Sequence, residues 1–249
     1  MQALSLLALP LFFATAIALN NNQGLLPELG YNSWYAQHSH LVNYSWAPGY
    51  VASTDFLAIA QWLRDNGLVS LGYTYANWDD CIVIGRDPVT KALIPDPQAF
   101  PHGVRAVADE INALGMKMGW YSVRGNLTCA SIKPYYPQRP GSNLYEKLDA
   151  ETYAAWGISY LKYDTCVGPN VPYDIMGRAL NESGKQVFYS MCEPGQGPQT
   201  APVGRATGNG WRVDEVCALR PQAHSLAGNF CCTGPAPHPI LSPPFPSTG

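Results

Sequence analysis

Three observations predict a parallel α/β fold, a (β/α)8 TIM barrel of which about six βα units are present. Amphipathic helical stretches recur after residue 50, each is closed by a glycine, and each glycine is followed by a short apolar strand ending in polar residues. In a parallel barrel such strand ends gather on one face, where the chemistry resides. A doubly wound open sheet would carry a Gly-rich phosphate turn after its first strand, and the sequence has none.

LGYNSW at 29–34 reads as the first strand. Phe56, Ile59, Ala60 and Leu63 then fall at helical spacing, and Asn66-Gly67 stops that helix before the second strand, in LGYTYANWDD. Val104, Val107, Ala108, Ile111 and Leu114 form a second apolar stripe, closed by Gly115 ahead of the strand in MKMGWYSV. Leu144, Leu148 and Trp156 mark a third helix, closed by Gly157 before ISYLKYD. Gly184 precedes a fifth strand in QVFYSMCEP, and a weaker sixth lies near 203–212. The strand ends present Asp79-Asp80, Tyr121, Asp164 and Glu193. Six strands leave a barrel with two open edges.

Residues 3–19 are almost wholly apolar and run into Asn20-Asn21-Asn22-Gln23, so 1–18 reads as a cleaved secretory leader. The barrel part covers 19–216, and no later segment is apolar enough to span a bilayer. From 217 to 249 the chain is aperiodic and rich in Pro, Ser and Gly, which predicts disorder. Sequons at Asn43, Asn126 and Asn181 agree with export as a glycoprotein. Seven cysteines in an oxidising compartment imply disulfides and at least one leftover thiol, and the absence of a CxxC pair argues against a zinc site. With 15 Lys+Arg scattered among 18 Asp+Glu, there is no basic stripe for nucleic acid.

Retaining glycoside hydrolysis needs two carboxyl groups about 5 Å apart, one nucleophile and one acid/base. Tyr160-Leu161-Lys162-Tyr163-Asp164 is an apolar strand ending in an acid, with a cation two residues earlier on the same face. By itself this is ambiguous, because a strand-end aspartate serves equally as a helix cap or an ion-pair partner. The same holds for Asp79 and Asp80 as caps, Tyr121 as core and Arg212 as a surface cation.

The ordered set LGYNSW (29–34), NWDDC (77–81), PDPQAFPHGVRAVADEINALGMKMGWYS (95–122), GSNLYEKLDAETYAAWGISYLKYDTC (141–166), SMCEPG (190–195) and GNGWR (208–212) resembles glycoside hydrolase family 27, the α-galactosidase and α-N-acetylgalactosaminidase family. The resemblance implies a retaining exo-hydrolase that releases terminal α-linked galactose from an oligosaccharide, polysaccharide or glycoconjugate, with no cofactor or metal. It implies Asp164 as nucleophile and Lys162 as a substrate-binding lysine. Asp79 and Asp80 would accept the sugar 4- and 6-hydroxyls, which separates galactose from its equatorial isomer. Tyr121 would contact the sugar, and Glu193 and Arg212 would read its 2-position, Glu193 favouring a free hydroxyl over an acetamide. Cys129 and Cys166 would be joined in a disulfide.

Four departures qualify that pattern. The family's acid/base aspartate falls at Val216, leaving Asp214 and Glu215 as neighbouring candidates. Tyr31 stands where a sugar-stacking tryptophan is expected. The usual partner of Cys81 is missing, and the pairing of Cys192, Cys217, Cys231 and Cys232 is open. The last two strands and the family's C-terminal β-sandwich are expected to be absent. Two alternatives follow: a catalytically impaired sugar-binding protein that retains Asp79, Asp80 and Lys162, or a relative acting on another pyranoside, N-acetylgalactosamine or arabinopyranose.

Overall fold

The computed structural model describes residues 21–34, 53–132, 138–166, 171–192, 204 and 207–212. The leader at 1–18, Asn43, Glu193, Asp214 and the 217–249 tail lie outside the described residues. The elements run β1 (Leu29–Asn32), α1 (Ser53–Asp65), β2 (Tyr73–Asn77), β3 (Val83–Arg86), β4 (Leu93–Pro95), α2 (Val104–Ala113), β5 (Lys117–Val123), α3 (Glu146–Trp156), β6 (Tyr160–Asp164), α4 (Tyr173–Glu182), β7 (Phe188–Cys192) and β8 (Gly210–Trp211). Short 3-10 turns lie at Val69–Leu71 and Cys129–Ile132.

Six strands form one sheet in the order β1-β2-β5-β6-β7-β8, every neighbouring pair parallel. This is the curled sheet of an incomplete (β/α)8 barrel, and its strands coincide with the six read from the sequence. The predicted helix ends are also found: Gly67, Gly115 and Gly157 all have positive φ. Gly157 is the clearest case, its left-handed conformation turning its N–H back to the carbonyls of Tyr153 and Ala154.

Side chains alternate across the sheet. Ala76, Trp78, Met118, Trp120, Leu161, Tyr163, Tyr189 and Met191 join the helices in the main core. Phe56 of α1 stacks on Trp78 with centroids 4.3 Å apart. On the inner face Tyr75, Tyr160 and Phe188 form a separate cluster, with Tyr160 and Phe188 stacked at 5.1 Å. Toward the strand C-termini, Tyr121, Lys162 and Ser190 stand in register, followed by Asp164 and Cys192. The aromatic layer is thus the floor on which the polar layer rests. The β1–β2 contact demands Gly30, where a Cβ would sit 2.1 Å from the Tyr75 carbonyl oxygen.

Three features differ from the sequence expectation. Leu144 does not begin the third helix; it is 81% exposed, with φ +72°, and the buried face of α3 is Glu146, Asp149, Ala150 and Tyr153. Helix α4 forms on buried Tyr173, Met176, Ala179 and Leu180, a stripe that the sequence reading passed over. The antiparallel hairpin β3–β4 was not anticipated. Its turn is organised by Asp87, whose Oδ1 accepts the N–H groups of Val89 at 2.9 Å and Thr90 at 2.7 Å. No described helix is long and apolar enough to cross a membrane.

Candidate active site

The C-terminal ends of β1, β2, β5, β6 and β7 meet around the ammonium of Lys162. Its Nζ donates to Asp79 Oδ2 at 2.8 Å and lies 4.0 Å from Asp164 Oδ2. The Tyr121 ring lies 5.1 Å from Nζ, and the Trp34 ring 6.0 Å. Burial alone would lower the Lys162 pKa, but the charges of Asp79 and Asp164 outweigh it and hold the ammonium above its ordinary value.

The three carboxylates differ in access. Asp79 and Asp80 are each 1% exposed, whereas the Asp164 side chain is 14% exposed. Asp79 is held on every side. Its Oδ2 also accepts Asn32 Nδ2 at 3.0 Å, its Oδ1 accepts the Asp80 N–H at 2.9 Å, and its own N–H donates to Ser33 Oγ at 2.9 Å. Asp80 accepts the N–H of Cys81 at 2.6 Å and of Ala130 at 2.8 Å. Burial pushes its pKa up to about 6 against the pull of those two N–H groups and the Thr128 hydroxyl, with Asp79 adding to the rise. Asp164 Oδ1 accepts the Thr165 N–H at 2.8 Å, and its Oδ2 lies 3.3 Å from the Tyr121 hydroxyl. Asp164 is therefore the most accessible of the three carboxylates, and Asp79 and Asp80 lie buried.

Tyr121 is buried, and burial, reinforced by Asp80, Asp164 and Asp79, raises its pKa well above the ordinary value, so its hydroxyl is a neutral donor. That hydroxyl also lies 2.9 Å from Cys129 Sγ. Cys129 and Cys166 are joined, as the resemblance implied, bridging the segments after β5 and β6. Bonded to each other, these sulfurs are not thiolate ligands, so their closeness to Asp164 does not build a metal site. Cys81 and Cys192 carry buried thiols, each pushed up to about 12 chiefly by burial and then by the nearest aspartate, Asp80 and Asp164 respectively. Arg212 follows β8, its N–H donating to the Met191 carbonyl at 2.9 Å. Its Nε is buried with no hydrogen-bond partner among the described residues.

Of the residues anticipated from sequence, Asp79, Asp80, Tyr121, Lys162 and Asp164 come together. Tyr31 does not. It pairs with outward-facing Ala76, packs on Phe56 with centroids 6.1 Å apart and belongs to the helix-side core. Within that motif the aromatic on the lysine's side is Trp34. Asn32, Ser33, Trp34 and Cys192 were missed as site members, although strand alternation carried the signal: if Asp79 and Lys162 face inward, the residue after Tyr31 does too. A separate groove of about 510 Å³, lined by Tyr145, Leu148, Ile175 and Arg178, lies between α3 and α4 on the helical shell and contains none of these groups.

An inward-facing lysine held between aspartates at parallel strand ends makes a polar mouth at the C-terminal face of the incomplete barrel, where catalytic groups of (β/α)8 enzymes reside. A family model described as "Alpha galactosidase A" matches residues 27–214. The chain is 39% identical over 202 residues to the α-galactosidase of Cyamopsis tetragonoloba, covering 78% of this chain and 44% of that one. It is 37% identical over 200 residues to the α-galactosidase of Coffea arabica, covering 78% and 48%. The structure of the Saccharomyces cerevisiae α-galactosidase with raffinose superposes with a TM-score of 0.66 at 33% identity, over 79% of this chain and 41% of that one. The chain spans less than half the length of these relatives. It belongs to the α-galactosidase family, glycoside hydrolase family 27.

Proposed function

We propose that this chain carries the sugar-binding and nucleophile half of a retaining exo-α-galactosidase. The observation that supports this best is the Asp79–Lys162–Asp164 arrangement, in which one ammonium holds a sealed acceptor carboxylate at 2.8 Å and an accessible one at 4.0 Å. Asp79 and Asp80 would take the hydroxyls of the sugar's 4- and 6-positions. Trp34 would lie along its face. Glu193 and Arg212 would read the 2-position, the Arg212 Nε, buried with no hydrogen-bond partner among the described residues, favouring a role as donor.

In the first step an Asp164 carboxylate oxygen attacks the anomeric carbon, the bond from that carbon to the glycosidic oxygen breaks, and the leaving oxygen takes a proton from an acid. In the second step water attacks the same carbon, the Asp164 ester bond breaks, and the deprotonated acid accepts the water's proton. Asp214, next after the β8 segment, is the first candidate for that acid. Asn126 and Asn181 are both exposed, which supports glycosylation of a secreted chain.

The test is hydrolysis of an aryl α-galactoside by the full chain produced in a secretory eukaryotic host. Asp164→Asn is expected to lower turnover by at least about a thousandfold, and a slow 2-fluoro-galactoside is expected to leave a glycosyl adduct on Asp164. An activated aryl leaving group needs little protonation, so the first step survives even where the acid is displaced. Folded protein that binds galactose without turnover would replace this reading with the sugar-binding alternative. Folded protein that neither binds nor hydrolyses would overturn both.

A further inference from the structure

Asn32 ends β1 with both halves of its amide engaged. Nδ2 donates to Asp79 Oδ2 at 3.0 Å, and Oδ1 accepts the N–H of Trp34 at 2.8 Å. The two partners determine the amide's orientation, since an N–H needs an acceptor and a carboxylate needs a donor. Lys162 Nζ reaches the same Asp79 oxygen at 2.8 Å, so two donors from opposite sides converge on one sealed carboxylate oxygen. One side chain therefore ties together the turn carrying the Trp34 indole, the plane of the Asp79 carboxylate and, through the shared oxygen, the ammonium beside Asp164.

We propose that Asn32 is a positioning residue for sugar recognition, holding Asp79 and Trp34 as one unit so that acceptor and indole address the same bound sugar. The proposal rests on the sugar-binding reading of this site. Asn32 itself need not touch the sugar. Its amide is consumed by Asp79 and by the Trp34 turn, and what it supplies is the fixed relation between them. The charged and titratable groups around the pair among the described residues are Asp79, Asp80 and Cys81 after β2, Tyr121 on β5, Tyr160, Lys162 and Asp164 on β6, and Cys192 on β7.

The near-isosteric Asn32→Asp separates positioning from bulk. It would set a carboxyl oxygen about 3 Å from Asp79 Oδ2, where two like charges cannot both remain ionised without cost. In acid, a proton shared between the two carboxyls reproduces the hydrogen bond that the amide made. As pH rises the proton leaves, the contact opens and the acceptor loses its orientation. Lys162 favours the doubly ionised form and so moves that loss toward lower pH, without abolishing it.

The experiment is equilibrium binding of D-galactose to the full chain between about pH 4 and about pH 8, spanning carboxylate titration, for wild type, Asn32→Asp and Asn32→Ala. Near-ultraviolet circular dichroism follows the fold alongside. Asn32→Ala is expected to bind about tenfold more weakly at every pH, the loss expected for a hydrogen bond to a charged group. Asn32→Asp is expected to bind close to wild type at the acid end and at least about tenfold more weakly at the neutral end. Recovery on acidification also excludes misfolding as the cause. An Asn32→Asp profile that parallels the wild type's, or an Asn32→Ala protein that binds as wild type, overturns the proposal alone. A wild-type chain that binds no galactose overturns the sugar reading and this proposal with it.

Discussion

Replacing Asp149 with leucine is expected to destabilise the chain by about 3–5 kcal/mol, because it strands a buried guanidinium. Arg86 reaches from β3 to α3 and donates from Nη1 to Asp149 Oδ1 at 2.7 Å and from Nη2 to Oδ2 at 2.6 Å. Its nitrogens also donate to the carbonyls of Gly141 at 2.8 Å and Lys91 at 3.0 Å, and its guanidinium lies 4.4 Å from the centroid of the Tyr145 ring. The side chains are 10% and 0% exposed. At 2.6 to 2.7 Å between the paired atoms the gross attraction is about 6 kcal/mol for an effective dielectric constant of about 20. Removing two ions from water costs several kcal/mol each, so the intact pair contributes little net stability. Loss of one member is different, since the desolvation of the other is then uncompensated. The expected drop corresponds to about 6–20 °C in melting temperature for a domain of this size. Urea unfolding of wild type, Asp149→Leu and the double variant Arg86→Met/Asp149→Leu measures it, with the apolar double variant recovering most of the loss. A single variant that loses less than about 1 kcal/mol, or a double variant no more stable than the single, would refute the reasoning.

Three further outcomes follow from the site and the core beside it. The Asp80 pKa, pushed up to about 6, exceeds the unfolded value of about 4, so its contribution to stability is full below about pH 4 and is lost as pH rises through about 6. A shift of about two pKa units is worth about 3 kcal/mol. Between pH 4 and pH 7 the unfolding free energy of wild type relative to Asp80→Asn should therefore fall by about that amount, and a constant difference would contradict the assignment. Tyr31→Phe removes a buried hydroxyl with no hydrogen-bond partner among the described residues, so stability should stay level or rise by up to about 1 kcal/mol, with galactose affinity unchanged. Trp34→Ala should weaken galactose binding about tenfold or more. The opposite ranking of the two in a titration would return the stacking role to Tyr31.

The sequence by itself determined the parts of this protein that depend on neighbours along the chain. Periodicity marks the apolar faces of α1 and α2, helix-closing glycines such as Gly157 mark where strands begin, and Lys162 and Asp164 share a face because side chains alternate along a strand. Asp79, Asp80 and Tyr121 were legible for the same reason, each lying at or near the end of an apolar strand. What the tertiary structure decided is which of these residues meet. Asn32 finds Asp79 across 47 residues, Lys162 finds Asp79 across 83, and Arg86 finds Asp149 across 63. No local pattern encodes those pairings, because they exist only once parallel strands set their ends side by side and the β3–β4 hairpin folds against α3. Tyr31 and Trp34 make the distinction plain. Both are aromatic and lie three residues apart in one motif, yet the register of β1 against β2 turns Tyr31 into the helix-side core and leaves Trp34 beside the ammonium of Lys162.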